Sequence, residues 1–206
     1  MIKAVIFDMG SVLVGAEWRI IYKKIAKKLG ISEEKAKEIS RLLLDKWNIG
    51  KINEREFWKG FERQLGRKID RGFARDLWFR NHINYTRNVS ESWKILAELR
   101  SKRFRLAIIS NTIPPHVKAH RKTGRIKKLR KLGVEFFVWS CDVGLRKPNP
   151  KIYKLVLKKL RLPAKECVFI DDRILYVKIA RKLGIQGIHF QTPKKLKKDL
   201  IKLGIL

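Results

Sequence analysis

Short apolar stretches alternate with helical patterns along most of this chain, and this alternation constrains the fold more than any other feature. Strands that alternate with helices form βαβ units, which build a parallel sheet covered by helices on both faces. We therefore predict an α/β fold with a Rossmann-like parallel sheet flanked by helices. Strands are predicted at residues 3–7, 105–110, 136–140, 167–171 and 187–189. Helices are predicted at residues 90–100, 150–160 and 175–183.

The segment from residue 15 to residue 87 breaks this alternation because it contains only helical patterns. Ser32 before two acids, and Asn53 three residues before Glu56, are typical of helix N-termini. Aromatic residues at helical spacing favour the core of a bundle over a ligand platform. We predict a Rossmann-like core of residues 1–14 and 88–206, with residues 15–87 inserted as a small helical bundle. The predicted helices of this bundle cover residues 18–29, 32–47, 53–65 and 69–79. Four of the six tryptophans lie in it: Trp18, Trp47, Trp58 and Trp78.

The length and composition indicate a globular protein rather than a membrane protein. A chain of 206 residues with 45% hydrophobic content can bury a sizeable core. No apolar run approaches the roughly 18 residues of a membrane span, and the N-terminus lacks the pattern of a secretory signal. We therefore expect a cytoplasmic protein that does not associate with membranes. Cys141 and Cys167 each adjoin an apolar run without metal-site spacing, which predicts buried free thiols.

The charge balance is strongly basic, with 50 Lys and Arg against 19 Asp and Glu and a net charge of +31. Residues 99–134 contain 12 Lys and Arg and no acid. Such a surface attracts polyanions, which predicts weak, non-specific binding of nucleic acid. Adaptation to heat explains the charge poorly, because thermophile surfaces usually balance the two signs. The basic run includes Arg125, Lys127, Lys128, Arg130 and Lys131.

Polar side chains stand where the predicted strands end. Asp8 follows the first strand, and Ser110 and Asn111 end the second. In an open parallel sheet, ligands bind beyond the carboxyl ends of the strands, so Asp8 is placed to act as a nucleophile or a metal ligand. Ser110 and Asn111 supply hydroxyl and amide groups that can hydrogen-bond an anion. Lys147 lies in a proline-flanked turn before a predicted helix.

A pair of acids, Asp171 and Asp172, ends a later apolar strand. Two like charges side by side are unfavourable without a cation, so this pair suggests a divalent metal. Asp8, a hard cation, Ser110 and Lys147 around one phosphoryl group would form a coherent phosphoryl-transfer site.

These four motifs, in this order, resemble those of the haloacid dehalogenase superfamily of hydrolases that carry a helical cap after the first motif. The similarity covers residues 1 to about 190, and residues 15–87 correspond to the cap. Residues 50–58 and 142–148 resemble one branch of the superfamily. That branch contains sugar-phosphate phosphatases and the amino-terminal phosphatase domain of epoxide hydrolases.

The resemblance implies a Mg²⁺-dependent phosphatase that hydrolyses a small phosphomonoester through an aspartyl-phosphate on Asp8. Ser110 and the amide of Asn111 would hold phosphate oxygens, and Lys147 would neutralise both the nucleophile and the phosphoryl charge. The implied ligands of Mg²⁺ are Asp8, the backbone carbonyl of Gly10, Asp172, and Asp171 either directly or through water.

The chain departs from the family pattern at two places. Gly10 stands where most phosphatases of the superfamily carry an aspartate that acts as acid and base, and loss of such a group costs roughly 10²–10⁴ in rate. Tyr176 stands where relatives often have Asn. His116 could replace the missing acid, although we expect a surface histidine at this position. His82 and His120 have no predicted partner.

Two alternative functions remain open. One is a 2-haloacid dehalogenase-like hydrolase in which Asp8 attacks carbon. The pair of Asp171 and Asp172 argues against it, because a dehalogenase needs no cation. The other is a catalytically weak scaffold that binds RNA or another polyanion through the basic surface. In that case Gly10 and Tyr176 would be traces of lost catalysis.

Overall fold

The computed structural model describes residues 1–15, 18–74 and 76–206. Five parallel strands form a central sheet, and a separate antiparallel pair connects it to the helical insert. This arrangement confirms the predicted α/β fold. The strands of the described part are β1 (Ala4–Phe7), β2 (Val14–Gly15), β3 (Arg87–Asn88), β4 (Arg105–Ser110), β5 (Val134–Trp139), β6 (Cys167–Asp171) and β7 (Gln186–His189).

Helices account for most of the remaining chain. The described residues form α1 (Trp18–Leu29), α2 (Glu33–Trp47), α3 (Glu54–Leu65), α4 (Arg71–Ala74), α5 (Leu77–Tyr85), α6 (Ser90–Ser101), α7 (Pro114–Lys122), α8 (Arg125–Lys131), α9 (Ser140–Val143), α10 (Pro150–Leu160), α11 (Ile174–Lys182) and α12 (Pro193–Lys202). A 3₁₀ turn at Ala164–Glu166 precedes β6. No helix in the described ranges combines the length and apolar character needed to cross a membrane.

The order of strands in the central sheet is β5-β4-β1-β6-β7, which places β1 in the middle. Phe7 lies opposite Ile108 of β4 and Ile170 of β6, so the carboxyl ends of these three strands lie at the same edge of the sheet. The residues that follow Phe7 and Ile170 therefore face one another across the same edge of the sheet.

Both faces of the sheet are buried, as expected where helices cover a parallel sheet on each side. Successive residues of β1 alternate between the faces: Val5 and Phe7 belong to one hydrophobic cluster, and Ala4 and Ile6 to the other. Residues of α6 and α12 pack on the first face, and residues of α10 and α11 pack on the second.

The insert between β2 and β3 has an aromatic core of its own. Trp47, Trp58 and Trp78 are fully buried there, which confirms the predicted packing role of the insert's tryptophans. The side chain of Trp18 lies outside the described part. The Ser32 side chain accepts a hydrogen bond from the N-terminal turn of α2, and Asn53 forms a capping box with Glu56 at the start of α3.

The helix predicted over residues 69–79 is wrong, because two short helices, α4 and α5, lie there instead. Asp76 adopts a left-handed backbone conformation (φ 54°), which an α-helix interior does not tolerate. The basic run likewise divides into α7 and α8, separated at Gly124 with φ 71°. Cys167 is a buried free thiol as predicted, whereas Cys141 is only half-buried.

We propose that the domain boundaries lie at the β2–β3 pair, with residues 15–87 as the cap and residues 1–14 and 88–206 as the core. The separate aromatic cluster of α1–α5 supports this division.

Candidate active site

A buried lysine joins the acids at the ends of two neighbouring strands. The Lys147 Nζ lies 2.6 Å from Asp8 Oδ1 and 2.6 Å from Asp171 Oδ2, and it donates to the Ile109 carbonyl at 3.2 Å. The lysine side chain is 1% exposed. Asp8 follows β1 and Asp171 ends β6, so the adjacency of these strands brings the two carboxylates to one ammonium.

Asn111 fixes the turn that carries this lysine. Its side-chain Nδ2 donates to the Lys147 carbonyl, and its Oδ1 accepts from the Lys147 N–H, both at 2.8 Å. These bonds connect the end of β4 directly to the turn. The side-chain amide of Asn111 is therefore fully engaged with the turn that carries Lys147.

Tyr176 supports the same lysine from α11. The Nζ of Lys147 lies 5.3 Å from the centre of the Tyr176 ring and 5.4 Å from that of Phe169. The Tyr176 hydroxyl accepts from Arg173 at 2.8 Å and from Asn111 at 3.3 Å. The sequence shows Tyr176 only as a departure from relatives. Its position four residues after Asp172, in the first turn of the helix that follows the acid pair, is the signal that could have indicated a supporting role.

The electrostatics follow from burial. Burial raises the pKa of Asp8 to about 7, opposed by Lys147 and reinforced by Asp171. For Lys147, burial acts to lower the pKa, but the adjacent Asp8 and Asp171 carboxylates outweigh it and the pKa is raised. The lysine is therefore held as an ammonium ion, and it offsets only one of the acids around it.

Three carboxylates of the site could hold a cation together. Asp8, Asp171 and Asp172 each offer an oxygen, and these oxygens all lie within 4.8 Å of one another. One lysine among three carboxylates leaves two negative charges, which a divalent ion matches, and hard carboxylate oxygens are the donors that Mg²⁺ prefers. The donor set therefore fits Mg²⁺. Burial and the neighbouring Asp171 raise the pKa of Asp172, while a hydrogen bond from Ser11 opposes this.

The predicted site residues all line one cleft of about 570 Å³. Ser110 is a buried residue at the end of β4, and Gly10 lies beside Asp8. The carbonyl of Gly10 accepts a hydrogen bond from the Val12 N–H at 2.6 Å. The opposite wall of the cleft comes from the cap, which the sequence did not identify as part of the site. It includes Tyr22, Lys37, Arg41, Leu42, Asp45 and Asn48.

The expectation of a surface histidine at position 116 is wrong. His116 is 4% exposed, and its ring stacks on that of His82 with centroids 4.2 Å apart. The Nε2 atoms of His82 and His120 lie 3.2 Å apart. The three histidines thus pack between α5 and α7, and His116 does not line the cleft, so it does not replace the acid absent at Gly10.

A family model described as haloacid dehalogenase-like hydrolase matches residues 2–184. The chain belongs to this family. The hydrolase is 26% identical over 204 residues to sesquiterpene phosphatase astK of Aspergillus oryzae, an alignment that covers 91% of this chain and 89% of the relative. It is 44% identical over 66 residues to flavin mononucleotide hydrolase 1 of Arabidopsis thaliana, which covers 32% of this chain. The chain spans 27% or less of the length of that relative and of two further curated relatives.

The fold of the hydrolase also matches solved structures. A Bacteroides thetaiotaomicron enzyme of the same family, solved in complex with magnesium and inorganic phosphate, superposes with a TM-score of 0.75 at 24% identity. The match covers 93% of this chain and 96% of that enzyme. An L-2-haloacid dehalogenase from Xanthobacter autotrophicus shares the fold with a TM-score of 0.64 at 18% identity, covering 100% of this chain and 85% of that enzyme.

Proposed function

We propose that this hydrolase is a Mg²⁺-dependent phosphatase that cleaves a small phosphomonoester through an aspartyl-phosphate on Asp8. The observation that carries the proposal is the position of the Asp8 carboxylate. It is held by Lys147 at 2.6 Å and shares a cluster of oxygens with Asp171 and Asp172. Relatives named as phosphatases support the substrate class.

The two oxygens of Asp8 would have different tasks. Oδ1 is held by Lys147, which leaves Oδ2 to attack phosphorus. A bond forms between Oδ2 and phosphorus, the bond from phosphorus to the ester oxygen breaks, and the alcohol leaves with a proton from solvent. Water then attacks the aspartyl-phosphate, which releases inorganic phosphate and regenerates the carboxylate.

The remaining residues would orient the phosphoryl group. The Ser110 hydroxyl and the Asn111 backbone N–H would hold its oxygens, and the Lys147 ammonium would offset charge that develops in the transition state. Asp8, Asp172 and the Gly10 carbonyl would hold Mg²⁺, with Asp171 directly or through water. When bound, Mg²⁺ polarises the phosphoryl group and offsets its negative charge.

The test is phosphate release by wild type and by Asp8→Asn. The amide keeps the shape of the carboxyl but is a poor nucleophile, so turnover should fall by at least about 10³-fold. Asp142→Asn, an exposed acid outside the cleft, is the matched control and should retain wild-type turnover. Wild-type turnover by a folded Asp8→Asn protein would rule out the aspartyl-phosphate.

The dehalogenase alternative is distinguished in the same assay by removing the metal. Three carboxylates with one lysine need a divalent cation, so chelator should abolish phosphate release and added Mg²⁺ should restore it. Halide release from a 2-haloacid that persists in chelator would favour carbon attack by Asp8 instead.

We propose a second, independent activity: weak binding of nucleic acid by the basic face of α7 and α8. This face comprises exposed cations from both helices, and residues 99–134 carry no acid to offset them. These cations are Arg121, Lys122, Lys127, Lys128, Arg130 and Lys131. Arg125 does not contribute as expected, because it is buried. Its guanidinium donates to Asn88 at 2.9 Å and to the Thr86 carbonyl at 2.8 Å. Such a face favours phosphate contacts without base recognition.

A further inference from the structure

One face of α2 forms the wall of the cleft opposite Asp8. Lys37, Arg41 and Asp45 are four residues apart and line the cleft together. Residues at this spacing lie on the same side of a helix, one turn above another. The other side of α2 packs into the cap through Ala36, Ile39 and Trp47. The orientation of the helix is therefore fixed by its own core packing.

An ion pair between cap and core fixes the position of this face of α2 relative to the core. The Arg146 guanidinium, one residue before Lys147, pairs with Asp45. This contact places Arg41 one turn and Lys37 two turns further along the same wall. Both of these side chains are exposed in the cleft, and neither forms an ion pair within the described ranges of the chain.

The phosphoryl group does not account for these two cations. Lys147 lies beside the nucleophile, and the strand ends supply the other groups proposed to hold phosphate. The cleft of about 570 Å³ has ample room for a leaving group beyond the phosphoryl position, and that part of the cleft is bounded by α2.

The positive charge on this wall is not explained by the high overall content of Lys and Arg in the chain. Lys35, also on α2, pairs with Glu38 outside the cleft, and Lys46 is exposed without lining it. Of the acids of α2, only Asp45 lines the cleft beside Lys37 and Arg41, and that carboxylate is engaged by Arg146. An anionic ligand would supply the missing partner for Lys37 and Arg41.

We propose that the substrate is a phosphomonoester whose leaving group carries a second anionic group, a carboxylate or another phosphate, bound by Lys37 and Arg41. This inference rests on the proposed phosphatase function. Leu42 and Tyr22, which also line the cleft, would pack against the carbon skeleton between the two anionic groups.

The experiment compares matched pairs of substrates. 2-Phosphoglycerate differs from glycerol 2-phosphate by a carboxylate in place of a hydroxymethyl group, and fructose 1,6-bisphosphate adds a phosphate to fructose 1-phosphate. The wild type should favour the more anionic member of at least one pair by about tenfold in kcat/KM. The pair that shows the preference identifies the second group as carboxylate or phosphate.

Substitution should remove this preference. In Lys37→Gln/Arg41→Gln the ratio within the preferred pair should fall towards one, mainly through a higher KM for the anionic member. The control Lys35→Gln/Lys46→Gln removes the same charge from the same helix outside the cleft and should keep the wild-type ratio. A ratio that is near one in the wild type, or is equal in both double variants, overturns the inference.

A binding measurement separates this inference from the phosphatase proposal. Calorimetric titration of the four compounds into the Mg²⁺-loaded Asp8→Asn protein measures affinity without turnover. If the wild type releases no phosphate from any compound, the proposed function fails. A preference in affinity that depends on Lys37 and Arg41 would still support the anionic site, and equal affinities would overturn it.

Discussion

Gly10 stands at the position where most phosphatases of the superfamily carry an aspartate. It lies directly beside Asp8, the proposed nucleophile: a Cβ built on Gly10 would stand 3.7 Å from Asp8 Oδ2, an ordinary van der Waals distance. A side chain at this position would therefore lie beside the oxygen proposed to attack phosphorus, and glycine leaves that space open.

We expect Gly10→Asp to increase turnover of esters with poor leaving groups, by up to roughly 10²-fold, because it would supply a positioned acid. Esters with good leaving groups, such as aryl phosphates, should gain little, since they need no protonation. The measurement is kcat for alkyl and aryl phosphates, with Gly10→Asn as a control of similar shape that cannot donate a proton in the same way. An equal gain in both variants would contradict an acid role.

At the scale of elements, the contact between α5 and α7 depends on a cluster of three uncharged histidines. Burial lowers the pKa of His82 to about 4 and that of His120 to about 2, and the nearby Arg125 adds to both effects. Burial also lowers the pKa of His116, and its two histidine neighbours contribute. Burial disfavours a charge on these rings, and the hydrogen bond between His82 and His120 needs an unprotonated nitrogen as its acceptor. Protonation of the cluster is therefore opposed by the packing between cap and core.

We therefore expect the free energy of unfolding to fall as the pH drops below about 6.5. The unfolded chain binds protons there while the folded histidines do not, at a cost on the order of 1.4 kcal/mol per pH unit for each fully shifted group. Urea titrations at several pH values should give a shallower dependence for His82→Gln/His120→Gln than for wild type. His189→Gln is the control. The raised pKa of Asp8 has the opposite effect on the pH dependence of stability, but Asp8 is present in all variants. Differences between variants in the slope of unfolding free energy against pH therefore come from the histidines. Equal slopes would contradict this account.

The same contact illustrates what the sequence could and could not predict. The five strands of the central sheet were predictable because apolar runs with polar ends are local. Asp8 and Asp171 at strand ends, and Lys147 in its proline-flanked turn, could be named as partners. Their roles in catalysis remain predictions. The histidine cluster joins positions from two segments far apart in the chain, and the cleft wall of α2 depends on how the cap rests on the core. No local pattern encodes either arrangement.

At the scale of the whole molecule, the net charge of +31 governs association more than folding. Glu98 and Glu135, the acids on either side of the acid-free stretch that contains α7 and α8, each already pair with a basic residue. The basic face and the cleft use different residues: Lys37, Arg41 and Lys147 line the cleft, and none of them belongs to α7 or α8. Catalysis and polyanion binding should therefore be separable.

We expect a quadruple Gln variant of the basic face to weaken RNA binding about tenfold or more and to flatten its salt dependence, because each lost phosphate contact removes about 0.9 from the slope. Turnover of a small phosphomonoester should not change. Fluorescence anisotropy with an unstructured RNA at several salt concentrations measures both effects. The variant replaces Lys127, Lys128, Arg130 and Lys131. A control with the same loss of charge on α10 replaces Lys151, Lys154, Lys158 and Lys159. Equal losses in both variants would show that the overall charge, rather than the face, binds RNA.

The paired hydrogen bonds between Asn111 and Lys147 have a consequence for how variants of this site should be interpreted. They join the end of β4 to the turn of Lys147, so the position of the ammonium and that of the backbone proposed to hold phosphate are set together. Replacing Asn111 would misalign both at once, although its side chain need never contact the substrate. A severe loss of turnover in such a variant would therefore result from misplaced neighbouring groups and not from the loss of a group that takes part in the reaction.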